Sequence, residues 1–534
     1  MLSDLALISP IVICVIAGLI VLMAGVFSER DKWSGWLGYV SVAGMFAALG
    51  AIWWLWEQSP VELAGSQLAG SIIVDPFALG MSAIILVGAI LTTLTAVHYL
   101  PHQKADHPEY YALVLFSVAG MVGMVMSRDL LSMFVCLEVM SMAIYVLAGF
   151  KRQSEYSTES AMKYFILGSF GSAILLLGIA YIWGMTGHLD MTQIAAFFEA
   201  NPQVAADPMS QLGMVLILGA FAFKVAAAPF HMWTPDVYEG APSSVSGFMA
   251  IAVKTAAFGA LARLLITAFG HEAFREGPFG WDFLVALLAV VSIVMGNLLA
   301  LAQTNLKRIL AYSAIAHTGY MLIALVAVPF DSGYAVGASG ELLAGGGLIF
   351  YLGAYTLANA GAFAVAAAVS GDNREDIDEL AYAGLAKRSP LWGTTLTISV
   401  ISLLGIPTTA GFVGKLAVFG EALTPQATDG GGPIWLWLVI VAVAGSVVSA
   451  WYYLRILVVA WMKDEIRPIK LIESRALAAS GVIAAILTVL WGILPSQPIE
   501  KSNQAGVSLV KPAKAKVAAT QGDQTAKVEI KTIR

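Results

Sequence analysis

Three lysines stand where an apolar chain should carry none. Lys224 interrupts "LGMVLILGAFAFKVAAAPFHMW" (212–233), Lys254 lies within "GFMAIAVKTAAFGALARL" (247–264), and Lys415 ends "LLGIPTTAGFVGK" (403–415). A charge at the centre of a membrane span costs roughly 2.5–3.5 kcal/mol on insertion scales, so each needs a task. The chemistry open to a buried ammonium is to hold, release and regain a proton. Glu138, in "LLSMFVCLEVMSMAIYVLAGF" (130–150), supplies a carboxylate, with Ser141 and Tyr145 at i+3 and i+7 on its helical face. A lone carboxylate at that depth is driven neutral, whereas beside an ammonium it stays charged; Glu138 and Lys224 are therefore expected to pair. His317, in "LKRILAYSAIAHTGYMLIAL" (306–325), adds an imidazole that relays protons near neutral pH. Arg455 also falls in an apolar run, where snorkelling to the interface and burial are equal readings.

The elements that position these groups are membrane helices. The 534 residues are 59% hydrophobic and only 12% charged, about half the charge density of a soluble domain. Windows of about 20 apolar residues predict an all-α polytopic protein with fourteen spans. They fall near 5–27, 36–56, 74–97, 111–127, 130–149, 161–185, 211–228, 243–269, 282–301, 309–329, 342–369, 390–423, 434–462 and 476–495. The seventh and twelfth are broken, by "APFHMWTPDVYEGAP" and by "LLGIPTTAGFVGK". Irregular backbone at membrane depth survives only inside protein or along a cavity. Loops after odd-numbered helices hold fifteen Lys and Arg, loops after even-numbered ones hold three (Arg128, Arg263, Arg275), and the tail from 496 holds seven. The positive-inside rule puts the odd loops in the cytoplasm and both termini outside, the basic tail fitting poorly.

Helices 4–8 (111–270) and 9–13 (281–463) read as two five-helix repeats, the second inverted because five is odd. Glu138 matches His317, Lys224 matches Lys415, and Lys254 matches Arg455 in that scheme. A three-helix segment (1–110) precedes them; helix 14 (474–495) and a polar, flexible tail (496–534) follow. "MLSDLALISPIVICVIAGLIVLMAGVF" lacks a basic leader and reads as a retained first span. Cys14 and Cys136 cannot ligate an iron–sulfur cluster and read as packing thiols. No GxGxxG follows a strand and no P-loop occurs, so no dinucleotide or ATP site is expected. The net charge of −6 names no partner, and nothing suggests nucleic acid. His98, His102 and His107, beside Asp106 and Glu109, read as a solvated polar loop rather than a metal site. His231, Asp236 and Glu239 either satisfy freed backbone or line a water path.

"FKVAAAPFHMWTPDVYEGAPSSVSGF" (223–248), "NLKRILAYSAIAHTGY" (305–320), "GIPTTAGFVGKLAVF" (405–419) and "LEVMSMAIYVLAGF" (137–150) closely resemble the antiporter-like membrane subunits of respiratory complex I, the proton-translocating NADH:quinone oxidoreductase. The likeness spans roughly residues 70–460, and its "TPDVYEGAP" form and Lys415 point to one branch of that family. The resemblance implies a bacterial inner-membrane protein with both termini outside. It implies a central axis of Glu138, Lys224, Lys254, His317 and Lys415 that moves protons while quinone is reduced elsewhere. NADH, FMN, iron–sulfur clusters and quinone would sit in partner membrane and peripheral subunits, leaving this chain without cofactor or metal. A multisubunit sodium/proton antiporter is the alternative, since that family is similar in fold.

Overall fold

The computed structural model describes residues 2–27, 33–58, 71–277, 279–328, 335–336, 342–343, 345–370, 378–424, 434–466 and 471–509. Its membrane helices are α1 (Ser9–Val26), α2 (Gly35–Glu57), α3 (Pro76–His102), α4 (Pro108–Met126), α5 (Leu130–Ala148) and α6 (Glu155–Thr186). Next come the broken α7 (Pro208–Lys224, then Thr234–Gly240), α8 (Ser243–Ala268), α9 (Trp281–Leu301), α10 (Leu306–Val326) and α11 (Gly346–Val369). The broken α12 (Pro390–Leu404, then Ala410–Leu423), α13 (Leu436–Met462) and α14 (Arg475–Ile493) complete the set. Among the described residues, twelve helices are long and apolar enough to cross a membrane, and α7 and α12 add two interrupted ones.

Local chemistry sets the ends. Asp75, Asp129 and Asn305 cap α3, α5 and α10, each accepting from backbone N–H groups of the first turn. Gly187 closes α6 in the left-handed conformation at φ 71°. Helices α8 and α11 are buried along their whole spans and α10 almost so, whereas α1, α13 and α14 present apolar faces outward. The polar residues lie on that inner triad and on the elements around it. Residues 249–253 and 264–268 of α8 wind as π-helix on either side of Lys254–Arg263, a distortion frequent at functional sites.

Four expectations change. The segment assigned to the polar tail begins with a helix, α15, over 496–509, which buries Ser502, Ala505 and Leu509. Ser508 Oγ accepts from the Phe77 N–H at the start of α3 at 2.9 Å; residues 510–534 lie outside the described residues. Arg263 is no loop cation: it is 3% exposed within α8 and forms a two-pronged bond to Asp75 at 2.9 and 2.8 Å. Lys307 is fully buried, donating to the Ala241 carbonyl at 2.6 Å. Arg455 pairs with Glu379 at 3.0 Å and donates to the carbonyls of Leu301 and Gln303, so its match to Lys254 is not kept.

Candidate functional site

Both breaks satisfy their freed backbone groups with side chains, and two of those contacts build the site. In α7 the chain turns through Ala226 at φ 60°. Thr318 of α10 donates to the Val225 carbonyl at 2.7 Å, the Ala228 N–H donates to Ser292 at 2.8 Å, and Trp233 donates to the Phe223 carbonyl at 3.1 Å. In α12 the chain turns through Gly405 at φ 89°, and Lys415 Nζ donates to the Leu404 carbonyl at 2.8 Å. A cation there also complements the negative C-terminal end of the first half of α12. A Cβ at Gly405 would stand 3.0 Å from Lys415 Cδ, so glycine gives the lysine its room.

The line starts at Glu138. Its carboxylate accepts from the Ser172 hydroxyl on α6, on a half-buried edge of α5 beside the exposed Val135 and Val139. Lys224, 4% exposed, donates to Ser141 at 2.9 Å and Tyr145 at 3.2 Å. The expected helical face is therefore present, but among the described residues no ion pair joins Glu138 to Lys224. Ser141 and Tyr145 stand on the inner side of that face and take the ammonium, while Glu138 keeps to the edge.

Thr318 joins the next step. Its hydroxyl donates toward Val225, the neighbour of Lys224, and accepts from Lys254 Nζ at 3.0 Å. Lys254 also donates to the Ala314 carbonyl at 2.7 Å and lies 5.3 Å from the Tyr355 ring centre. His317, one residue from Thr318, bonds the Tyr351 hydroxyl through Nδ1 at 2.6 Å and the Tyr453 hydroxyl through Nε2 at 3.2 Å. Ser313 bonds Tyr453 in turn. Lys415 donates to Ser446 at 3.1 Å, Ser446 donates to Tyr320 at 3.4 Å, and Lys415 lies 5.0 Å from that ring centre. Tyr320 packs edge-on against His317.

Lys224, Lys254, His317 and Lys415 are thus buried on α7, α8, α10 and α12, each with a hydroxyl contact, while Glu138 bonds Ser172 at the half-buried edge of α5. Thr318, Tyr351, Tyr453 and Ser446 are the links that sequence reasoning missed. The remaining candidates go elsewhere. Asp236 pairs with Lys163 and Arg308, and Glu239 with Arg308. His98 stacks on Trp33 with ring centres 5.0 Å apart.

Broken helices around buried lysines and a histidine are the build of an antiporter-type membrane subunit. A family model described as "NADH:quinone oxidoreductase/Mrp antiporter, TM" matches residues 127–445. A relative named NADH-quinone oxidoreductase subunit N, from Trichlorobacter lovleyi, is 38% identical over 94% of this chain and 97% of its own. A chain of respiratory complex I from Thermus thermophilus with bound aureothin superposes with a TM-score of 0.72 at 31% identity, covering 92% of this chain and 98% of that one. A chain of the Mrp complex from Dietzia sp. shares the fold, with a TM-score of 0.78 at 22% identity over 96% and 98%. The chain belongs to the NADH-quinone oxidoreductase subunit N family.

Proposed function

We propose that this chain moves protons across a bacterial inner membrane as the subunit N of a proton-translocating NADH:quinone oxidoreductase, with both termini on the outer side. Glu138, Lys224, Lys254, His317 and Lys415 act as successive proton carriers, and Thr318, Tyr351, Tyr453 and Ser446 position them. Helices α4–α8 and α9–α13 form two inverted half-channels, one opening to each side. Flavin, iron–sulfur clusters and the quinone site belong to partner subunits, and the outer helix faces meet lipid and neighbouring membrane subunits. The observation that carries the reading is the hydroxyl-linked path of buried lysines in a chain whose relatives are named for this enzyme. The sodium/proton antiporter reading rests on a family model that also takes in Mrp antiporters and on a fold likeness at 22% identity.

The path requires each carrier to release its proton, which methionine cannot do. In the assembled enzyme in vesicles with a pH-sensitive dye, Lys254→Met is expected to abolish most NADH-driven proton delivery. Wild-type delivery by an assembled Lys254→Met enzyme would sink the proposal.

A further inference from the structure

Glu421 was not among the sequence candidates, and the path described above does not use it. It lies near the end of the second half of α12 and is 5% exposed. Oε1 accepts from the Gly347 N–H at 2.8 Å, while Oε2 is buried with no partner among the described residues. Gly347 is the second residue of α11, a 24-residue helix whose first-turn N–H groups favour a carboxylate. A Cβ on Gly347 would stand 2.6 Å from Oε2, so the carboxylate fits only because glycine is there. Asn503 of α15 packs over Gly346.

The helix that holds Glu421 to its N-terminus also carries the polar path. Positions 347, 351 and 355 follow at i, i+4 and i+8 and share one face of α11. Tyr355 lies against Lys254, with its ring centre 5.3 Å from Nζ, and Tyr351 bonds His317 at 2.6 Å. Gly347, one turn beyond Tyr351, holds Glu421. A single helix face therefore runs from the central lysine, past the histidine, to an otherwise unused buried carboxylate. In the orientation given by the cation count, the α11 start and the α12 end both lie toward the outer side.

We infer that Glu421 receives the proton leaving His317 through Tyr351 and releases it at the outer face, a role that rests on the proton-path reading above. The Tyr351 hydroxyl passes its proton on toward Glu421, whose Gly347 partner lies one turn further along the same α11 face, through intervening water. Tyr351 takes a replacement from His317 Nδ1–H. The net step leaves Tyr351 unchanged, turns an imidazolium at His317 into the neutral imidazole and makes Glu421 a neutral acid, which then loses its proton outward and returns to carboxylate. A helix cap needs only the oxygen that meets Gly347; the second, unpartnered oxygen is the one that can take the proton.

Glu421→Gln keeps an acceptor for Gly347 but cannot carry a proton, and Glu421→Asp keeps the acid. In the assembled enzyme in vesicles, Glu421→Gln should slow NADH-driven proton delivery by about a hundredfold, the lower end of what a positioned proton carrier contributes. Glu421→Asp should retain far more, and a carboxyl infrared band that changes during turnover should shift in it. Wild-type delivery by Glu421→Gln overturns the inference, because a cap alone predicts that result. If the glutamine variant does not assemble, a turnover band unshifted in Glu421→Asp overturns it equally. Lys254→Met in the same preparation separates the two proposals. With Lys254→Met blocked and Glu421→Gln fully active, only the Glu421 inference falls; with both active, the proton path falls as well.

Discussion

Thr318→Val tests whether the path passes from the first half to the second through a hydroxyl. Valine keeps the shape of threonine and loses only the Oγ1 group. That atom donates to the Val225 carbonyl at 2.7 Å and accepts from Lys254 Nζ at 3.0 Å. Removing it strips the ammonium of one of its two polar acceptors, a loss of about 1.5–3 kcal/mol for a hydrogen bond to a charged group. It also leaves a buried carbonyl in the α7 break without this donor, at about 1–3 kcal/mol. The first loss weakens the proton-carrying form of Lys254 more than the neutral amine, whose bond to a hydroxyl is weaker, and every 1.36 kcal/mol of that difference is tenfold in the equilibrium. Roughly ten- to a hundredfold slower NADH-driven proton delivery is expected from the assembled enzyme in vesicles, with Thr318→Ser close to wild type. Subunit content on a native gel controls for assembly. An assembled Thr318→Val enzyme that pumps at the wild-type rate would refute a relay through this residue.

Two other expectations concern stability. Asp75→Ala leaves Arg263 buried and alone, at a cost of roughly 3–5 kcal/mol for a broken buried pair; assembly yield and melting temperature should fall, and Asp75→Leu with Arg263→Met should recover much of both. A double variant as damaged as the single would show that the pair is not the cause. Asp106 accepts from the Ser34 N–H at 2.8 Å, and burial holds its carboxyl above the usual carboxylate range. Below the ordinary value both folded and unfolded Asp106 are protonated; as pH rises through the raised value, the folded protein must pay the cost of a partly buried charge. Asp106→Asn keeps an acceptor without the charge, so it should be more stable than wild type at neutral pH and no more stable at strongly acid pH. Equal thermal melts at neutral pH in detergent would contradict that sign.

What could be read without coordinates was whatever disturbs an apolar background. Lys224, Lys254, Lys415, Glu138 and His317 each announce themselves because a charge or imidazole in a membrane span is costly. Tyr351 and Tyr453 give no such signal, since tyrosine fits an apolar helix as well as a polar path. They reach His317 from 34 and 136 residues away, a proximity only the packing of α10, α11 and α13 creates. Helix α15 was missed because its composition is polar, although 502, 505 and 509 recur at the spacing of an amphipathic face. Arg263 was misplaced because its place near the end of α8 looks like a loop boundary. The signal that could have found its role is Asp75, an N-cap residue at the same end of the bundle. Glu138 and Lys224 make no direct ion pair among the described residues: helical periodicity gives the face of α5 but not which of its residues touches the partner.

The cations divide by partner, and on the proposed reading that division separates scaffold from relay. Arg263, Arg128, Arg308 and Arg455 each pair with a carboxylate: Asp75, Asp190, Asp236 with Glu239, and Glu379. Lys224, Lys254 and Lys415 form no ion pair among the described residues. They are held by hydroxyls, carbonyls and aromatic rings. Arginine stays protonated in proteins and suits a fixed, forked bond to carboxylate. A lysine held by dipoles keeps its position in either protonation state, because a hydroxyl can donate to the neutral amine as well as accept from the ammonium. Direct carboxylate pairs would have bound these protons in place. Hydroxyl contacts hold the amines without fixing the charge, which is what a path of exchanging protons demands of its side chains.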